Sequence, residues 1–150
     1  MRIWRIARNP HRALDGEGAR LAGGRWSSEG VPVVYASSTL ALAALEYLVH
    51  VDIEDVPDDL VALGIDVSDD VPAERVEPGR LPEGWNRVTD HPACVAAGDR
   101  WLAAGAALLL SVPSALIPKE ENVLLNPAHP AAQGVSVDYS RRFVFDPRLL

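Results

Sequence analysis

The chain has 150 residues, a formal net charge of −7, 48% hydrophobic and 23% charged residues, which suits one folded domain spanning residues 1–150 with a real core. That charge argues against nucleic acid as a partner, because duplex binding depends on neutralising phosphates with Lys and Arg. The single cysteine, Cys94, excludes an intrachain disulfide and any multi-cysteine metal site, which fits a reducing, cytoplasmic setting.

No apolar stretch has the length of a membrane span: the longest, Trp101 to Pro113, is interrupted by Gly105 and Ser111. The N-terminus, MRIWRIARNPHR, lacks the apolar core and small-residue cleavage pattern of a signal peptide. Charge is unevenly placed. Residues 1–25 hold six arginines (Arg2, Arg5, Arg8, Arg12, Arg20, Arg25) against Asp15 and Glu17, whereas residues 52–90 hold twelve of the 21 acids. A basic N-terminal region of this kind can attract a small anion even in an acidic protein. A charge-mixed, solvated surface accounts for most of these residues as well.

In chain order, IWRIA predicts a short strand ended by Asn9-Pro10. Five glycines between Gly16 and Gly30 predict an irregular loop. Val31 to Tyr35 is a β-branched run whose Pro32 points to an edge or strand-entry position. Ser37-Ser38 then offers an N-cap for a helix from about Thr39 to Val51, apolar on most sides and therefore expected to be largely buried. Leu60 to Val67 reads as a strand, and residues 68–91 as a long irregular surface segment with one short helical turn. His91 to Ala104 predicts a helix with Pro92 in its first turn. Ala107–Val112 and Asn122–Asn126 predict buried strands, and Val135–Tyr139 and Arg142–Phe145 two short strands able to pair. Helices and strands mix without regular βαβ alternation, so the expected class is α+β with mixed or mainly antiparallel sheets and flanking helices.

Glu46 is the sharpest chemical signal. A carboxylate among Leu42, Leu45 and Val49 must reach solvent, be protonated or find a partner, and arginine is the natural partner. A buried Glu–Arg bridge, or a glutamate at the helix edge, fits the same pattern without any catalytic role. Arg25 ends the glycine-rich loop as GGRW, where backbone N–H groups and a guanidinium suit phosphate oxygens. The spacing matches neither a Walker A loop nor a dinucleotide-binding fingerprint, and Trp26 is equally a core plug. Tyr35 closes its strand and either packs with its hydroxyl at the surface or stacks on a flat aromatic group. Ser111 and Ser114 flank Pro113 at a strand end, where a hydroxyl serves a sugar, an amide or merely a turn. Asn122 and Asn126 bracket another strand, with backbone capping as the plain reading. The four histidines, His11, His50, His91 and His129, share no metal-ligand spacing, so no metal is expected.

Four segments taken together, GEGARLAGGRWSSEGVPVVYAS, LALAALEYLVH, SVPSALIPKEENVLLNPAHP and FVFDPRL, resemble the RES-domain family in order and over nearly the whole chain. These are toxins of type II toxin–antitoxin systems, paired with an Xre-type antitoxin. The resemblance implies a fold similar to ADP-ribosyltransferases and attack on NAD⁺, with no metal. The family's key Arg and Glu match Arg25 and Glu46, and its site tyrosine matches Tyr35. Its serine matches Ser114, with Ser111 as the competitor, and Asn122 joins them among the NAD⁺-binding candidates. GRW is commonly followed by Asn in the family, whereas this chain has Ser27, so a contact there is expected to differ.

The resemblance implies cleavage of the nicotinamide–ribose bond by hydrolysis or phosphorolysis. Mono-ADP-ribosylation of a host protein is the alternative, and a non-catalytic interaction domain the third reading. It further implies an antitoxin over the site entrance and is compatible with a homodimer inside a larger toxin–antitoxin assembly.

Overall fold

The computed structural model describes residues 1–150. Seven strands form a single sheet: β1 (Arg2–Arg8), β2 (Val34–Ser37), β3 (Leu60–Asp66), β4 (Ala73–Arg75), β5 (Leu109–Pro113), β6 (Glu121–Leu125) and β7 (Ser136–Arg142), in the order β4-β5-β6-β2-β1-β3-β7. All neighbours are antiparallel except β4 and β5, which are parallel. Three α-helices accompany the sheet: α1 (Glu17–Ala22), α2 (Leu40–Leu48) and α3 (Pro92–Ala104). The expected α+β class is therefore what the chain adopts, as one mixed sheet rather than several. No helix is long and apolar enough to cross a membrane.

The side-chain period of two sorts each strand onto two faces. One face carries Ile3, Val34, Ala36, Leu63, Ile65, Leu109, Val123 and Leu125, closed over by loop residues such as Leu14, Ala131 and Val135. The other face is covered twice. Over β1 and β3, Ile6 and Leu60 meet Ala43 of α2 and Phe145. Over β5 and β6, Leu110, Val112 and Leu124 meet Trp101 and Cys94 of α3, together with Trp26. Between these two clusters runs β2, which pairs with β1 at the single rung Trp4↔Ser37 but with β6 along its whole length. The strip of sheet holding Tyr35, Ser37 and Asn122 thus lies between two helix-covered regions.

Several local expectations change. Pro32 precedes β2, a strand-entry position, but β2 is central in the sheet rather than an edge. The cap of α2 is Thr39, whose hydroxyl accepts from the Leu42 N–H at 3.1 Å, and not the Ser37-Ser38 pair. That helix buries Leu42 and Ala43 yet leaves Leu45 and Val49 41% and 54% exposed, so it lies on the surface along one side and is not largely buried. The two short C-terminal strands are one: β7 pairs with the free edge of β3, and its last link is the Phe143 N–H to the Leu60 carbonyl at 2.9 Å. Ser140-Arg141 lacks the Asn-Gly, Asp-Gly or Gly-X pair that a tight hairpin turn needs to fold the segment on itself. Phe143 and Phe145 then pack edge to face at 4.9 Å beneath α2, with Phe145 against Tyr47.

Two elements lie where irregular chain was expected. β4 is a three-residue strand of exposed residues inside the acidic segment. α1 forms in the glycine-rich stretch itself, entered through Gly16 at φ 70° and left through Gly23 at φ 68°, both conformations that favour glycine.

Candidate active site

Glu46 sits on α2, half-buried, and its Oε1 accepts two hydrogen bonds of 2.7 Å, one from Ser114 Oγ and one from Asn122 Nδ2. The arginine partner expected for it is not there. Two neutral donors hold the carboxylate, so its charge is not spent on an ion pair. Its Oε2 takes no hydrogen bond from the protein.

Ser114 follows β5, is 0% exposed, and is fully committed. Its hydroxyl proton goes to Glu46 while the oxygen accepts from the N–H groups of Leu116 (3.1 Å) and Ile117 (3.0 Å). A hydroxyl has one donor and two acceptor positions, so none is left for a ligand. Ser111 is elsewhere: it pairs in register with Val123, whose side chain lies in the core on the opposite face from Asn122. Of the two candidate serines, the structure brings only Ser114 to Glu46.

Asn122 stands opposite Ser37 in the β2–β6 ladder, and its Oδ1 accepts from Ser37 Oγ at 2.7 Å. The capping role fits Asn126 instead, whose side chain accepts from the Ala128 N–H at 3.0 Å. Ser37 was missed as a site residue because a Ser-Ser-Thr run before a helix reads as capping chemistry. The period of two from Tyr35, which puts both on one face, was the available signal.

Arg25 is not at the carboxylate. Its guanidinium donates to the carbonyls of Trp85 (3.0 Å) and Arg87 (2.7 Å), tying the glycine-rich loop to residues 82–90. The rings of Trp26 and Trp85 approach to 6.3 Å beside this link, and Trp26 is 2% exposed, a core residue as its plain reading held. The Cys94 thiol donates to the same Trp85 carbonyl at 3.5 Å; burial pushes that thiol up from its usual range, and Arg25 pulls it partly back.

Tyr35 holds the other side of the loop. Its hydroxyl accepts from the Trp26 N–H at 3.1 Å and shares a hydrogen bond of 2.8 Å with Ser27 Oγ. The loop passes so close that a Cβ on Gly24 would meet this hydroxyl at 2.5 Å. Burial drives the phenol above its ordinary value, against the lowering effect of the Ser27 and Trp26 hydrogen bonds, so Tyr35 is neutral at physiological pH. Ser27, where the resembled pattern carries Asn, therefore touches Tyr35 directly. Ser28 completes the anchoring through its N–H and hydroxyl on Asp99 of α3, at 2.9 and 2.5 Å.

The candidate residues fall into two groups, then: a carboxylate fixed by Ser114 and Asn122, and an arginine-bearing loop fixed by Tyr35, Asp99 and the 82–90 segment. No three of the chain's His, Cys, Asp or Glu side chains converge to hold a metal ion. His129 is structural: its Nδ1 accepts from the Ala131 N–H at 3.1 Å.

The family description "RES domain" matches residues 2–146. A protein of a Sphingobium species named "Prs ADP-ribosylating toxin" is 39% identical, over 99% of this chain and 96% of its own length. A "Toxin Res" of Pseudomonas putida is 38% identical over 99% of both chains. Among solved structures, the crystal structure of the Mycobacterium tuberculosis MbcT–MbcA toxin–antitoxin complex contains a chain with the same fold: TM-score 0.79, 18% identity, 95% of this chain and 84% of that one.

Proposed function

The chain belongs to the RES-domain family, and from that premise we propose that it is the toxin of a toxin–antitoxin pair and cleaves the nicotinamide–ribose bond of NAD⁺. The observation that carries the reading is the state of Glu46: a carboxylate on a surface helix, anchored through one oxygen by Ser114 and Asn122 and free at the other. Breaking the bond sends its electron pair to nicotinamide and leaves positive charge on the ribose anomeric carbon and ring oxygen, as in glycoside cleavage. A fixed negative oxygen stabilises that charge as it develops and can hold a ribose hydroxyl, without reorganising at the moment of reaction. The nucleophile then adds to the anomeric carbon and loses its proton.

Arg25 is the cation proposed for the pyrophosphate. A guanidinium has five N–H donors, and two serve the carbonyls of Trp85 and Arg87, so others remain for phosphate oxygens. Tyr35, a neutral phenol whose hydroxyl is spent on the loop, offers its ring to the nicotinamide and limits its pose. Ser114 acts through Glu46 rather than on the substrate, since its hydroxyl is fully used. Asn122 likewise works first on the carboxylate.

Water and phosphate are acceptors that would make the chain an NAD⁺-degrading enzyme. A protein acceptor is the second reading, favoured by the name of the Sphingobium relative, which matches along essentially its whole length. The partner proposed is a cognate antitoxin, supported by the toxin–antitoxin complex in which the similar fold was solved; that it is of the Xre type rests on the family resemblance alone. NAD⁺ labelled in its adenylate half, given to the purified chain with and without phosphate and with a cell lysate, separates the acceptors. Free ADP-ribose indicates hydrolysis, a phosphate-dependent ADP-ribose phosphate indicates phosphorolysis, and a discrete labelled protein band indicates transfer. Intact NAD⁺ in every arm, with no growth arrest on expression, contradicts the enzymatic reading and leaves an interaction domain.

A further inference from the structure

We infer that Ser37 is a positioning residue for the reaction, acting through Asn122 to set the side of Glu46 that faces the substrate. The inference rests on the reading of Glu46 as the carboxylate at the breaking bond, and concerns how it is aimed.

The chain of contacts runs Ser37 Oγ to Asn122 Oδ1 at 2.7 Å, then Asn122 Nδ2 to Glu46 Oε1 at 2.7 Å. An amide side chain has a donor end and an acceptor end of nearly the same shape, and either rotation fits the same space. A carboxylate accepts only, so the productive rotation is the one with Nδ2 toward Glu46. The other would set Oδ1 against Oε1, two partial negative charges at hydrogen-bond distance. Glu46 chooses between them, since a serine hydroxyl can donate or accept and would tolerate either. Ser37 holds the chosen amide in place: its hydroxyl proton is given to Oδ1, which fixes the far end of the side chain whose Nδ2 reaches Glu46.

Burial makes the hold on Asn122 strong. Ser37 is 3% exposed and Ser114 0%, so water does not readily replace either hydroxyl. Backbone register holds the pair rigidly: Ser37 and Asn122 are directly opposite in the β2–β6 ladder, and Ser37 is also the one rung joining β2 to β1. With Asn122 on one side and Ser114 on the other, Oε1 is saturated by two converging donors, which hold the terminal torsion of Glu46 and leave Oε2 without a protein hydrogen bond. Ser37 touches no other part of the site through its side chain. Its position inside a strand, with Thr39 performing the helix cap, leaves the orientation of Asn122 as the work of its hydroxyl.

The test uses the full chain and NAD⁺ turnover, with Ser37→Ala, Ser37→Cys and Ser37→Thr compared against the unaltered protein. The donor role predicts a kcat lowered about tenfold to a hundredfold in both Ala and Cys, since small misplacements of a catalytic group carry losses of that order. KM is expected to stay within about twofold, because Ser37 makes no uniform binding contact. Ser37→Thr, which keeps the hydroxyl and suits a strand, is expected to recover most of the loss. A packing role predicts the opposite order: Cys, which fills the volume of Ser but donates weakly, would behave like the unaltered chain. Normal kcat in Ser37→Cys, or a loss expressed only in KM, overturns the inference while the NAD⁺ reading stands. An unaltered chain that leaves NAD⁺ intact removes both, and that outcome is distinguishable because it appears before any substitution is made.

Discussion

Ser114 and Glu46 are 68 positions apart in the chain and share a hydrogen bond of 2.7 Å, with the serine hydroxyl buried completely and spent on three partners at once. The serine singled out as a substrate-binding candidate is thus an anchor. It joins helix α2 to the loop that leaves β5, and it fixes one oxygen of the Glu46 carboxylate.

Replacing Ser114 by Ala therefore separates two effects of different size. The Leu116 and Ile117 N–H groups lose an acceptor at a fully buried position, where water does not readily take its place, so the stability loss is expected at about 1–3 kcal/mol. For a chain of this length each kcal/mol lowers the thermal midpoint by about 2–4 °C. Glu46 loses one of two donors that fix it, and kcat for nicotinamide release is expected to fall by at least about tenfold. Calorimetry and initial rates on one preparation check the two together.

Tyr35→Phe addresses the loop. The hydroxyl satisfies the Trp26 N–H and bonds Ser27, so its removal is expected to cost about 1–3 kcal/mol at neutral pH. The pH dependence follows from the raised value of the buried phenol. Its folded value lies above the unfolded one, the ordinary tyrosine value of about 10.0, so its contribution is fully present below about pH 10 and is lost as pH rises through the folded value. Tyr47, also raised by burial, adds to the same alkaline loss. Thermal midpoints measured from neutral to alkaline pH should fall for the unaltered chain above about pH 10, and less steeply for Tyr35→Phe.

The seating of α3 on the loop depends on one glycine. A Cβ on Gly98 would lie 1.6 Å from the Trp26 carbonyl oxygen, and backbone on both sides leaves nothing flexible to move. Gly98→Ala is expected to lose about 3 kcal/mol or more by pushing α3 off a buried tryptophan. Gly18→Ala is the contrast: it lies in α1 with nothing within 4 Å, so Ala there should be neutral or stabilising by up to about 1 kcal/mol. Chemical denaturation of both variants measures the difference.

What could be read from the sequence divides by distance along the chain. Glu46 was legible because a lone carboxylate in LALAALEYLVH conflicts with its surroundings, and helix α3 was legible from Pro92 in its first turn; the structure adds Gly105, at φ 62°, as its C-cap. The partners of Glu46 were not legible as partners. Nothing local says that Asn122 faces Ser37, since that pairing is set by the β2–β6 register across 85 positions. The expected Glu–Arg bridge failed for the same reason: Arg25 finds backbone carbonyls at residues 85 and 87, and any residue type presents a carbonyl. β4 was missed because three exposed residues on a parallel edge carry no alternation to read. Hydrophobicity alone also placed α2 too deep, because it does not tell a core-facing stripe from an exposed one formed by Leu45 and Val49.

The most direct test compares nicotinamide release from NAD⁺ by the unaltered chain, purified free of partner, with release by Glu46→Gln. The amide oxygen of Gln can still accept from Ser114 and Asn122, so the fold should persist while the negative charge at the breaking bond is gone. The account predicts steady release by the unaltered chain and a loss of at least about a hundredfold in Glu46→Gln at an unchanged thermal midpoint. Equal release by both proteins, or none from the unaltered chain, would contradict it.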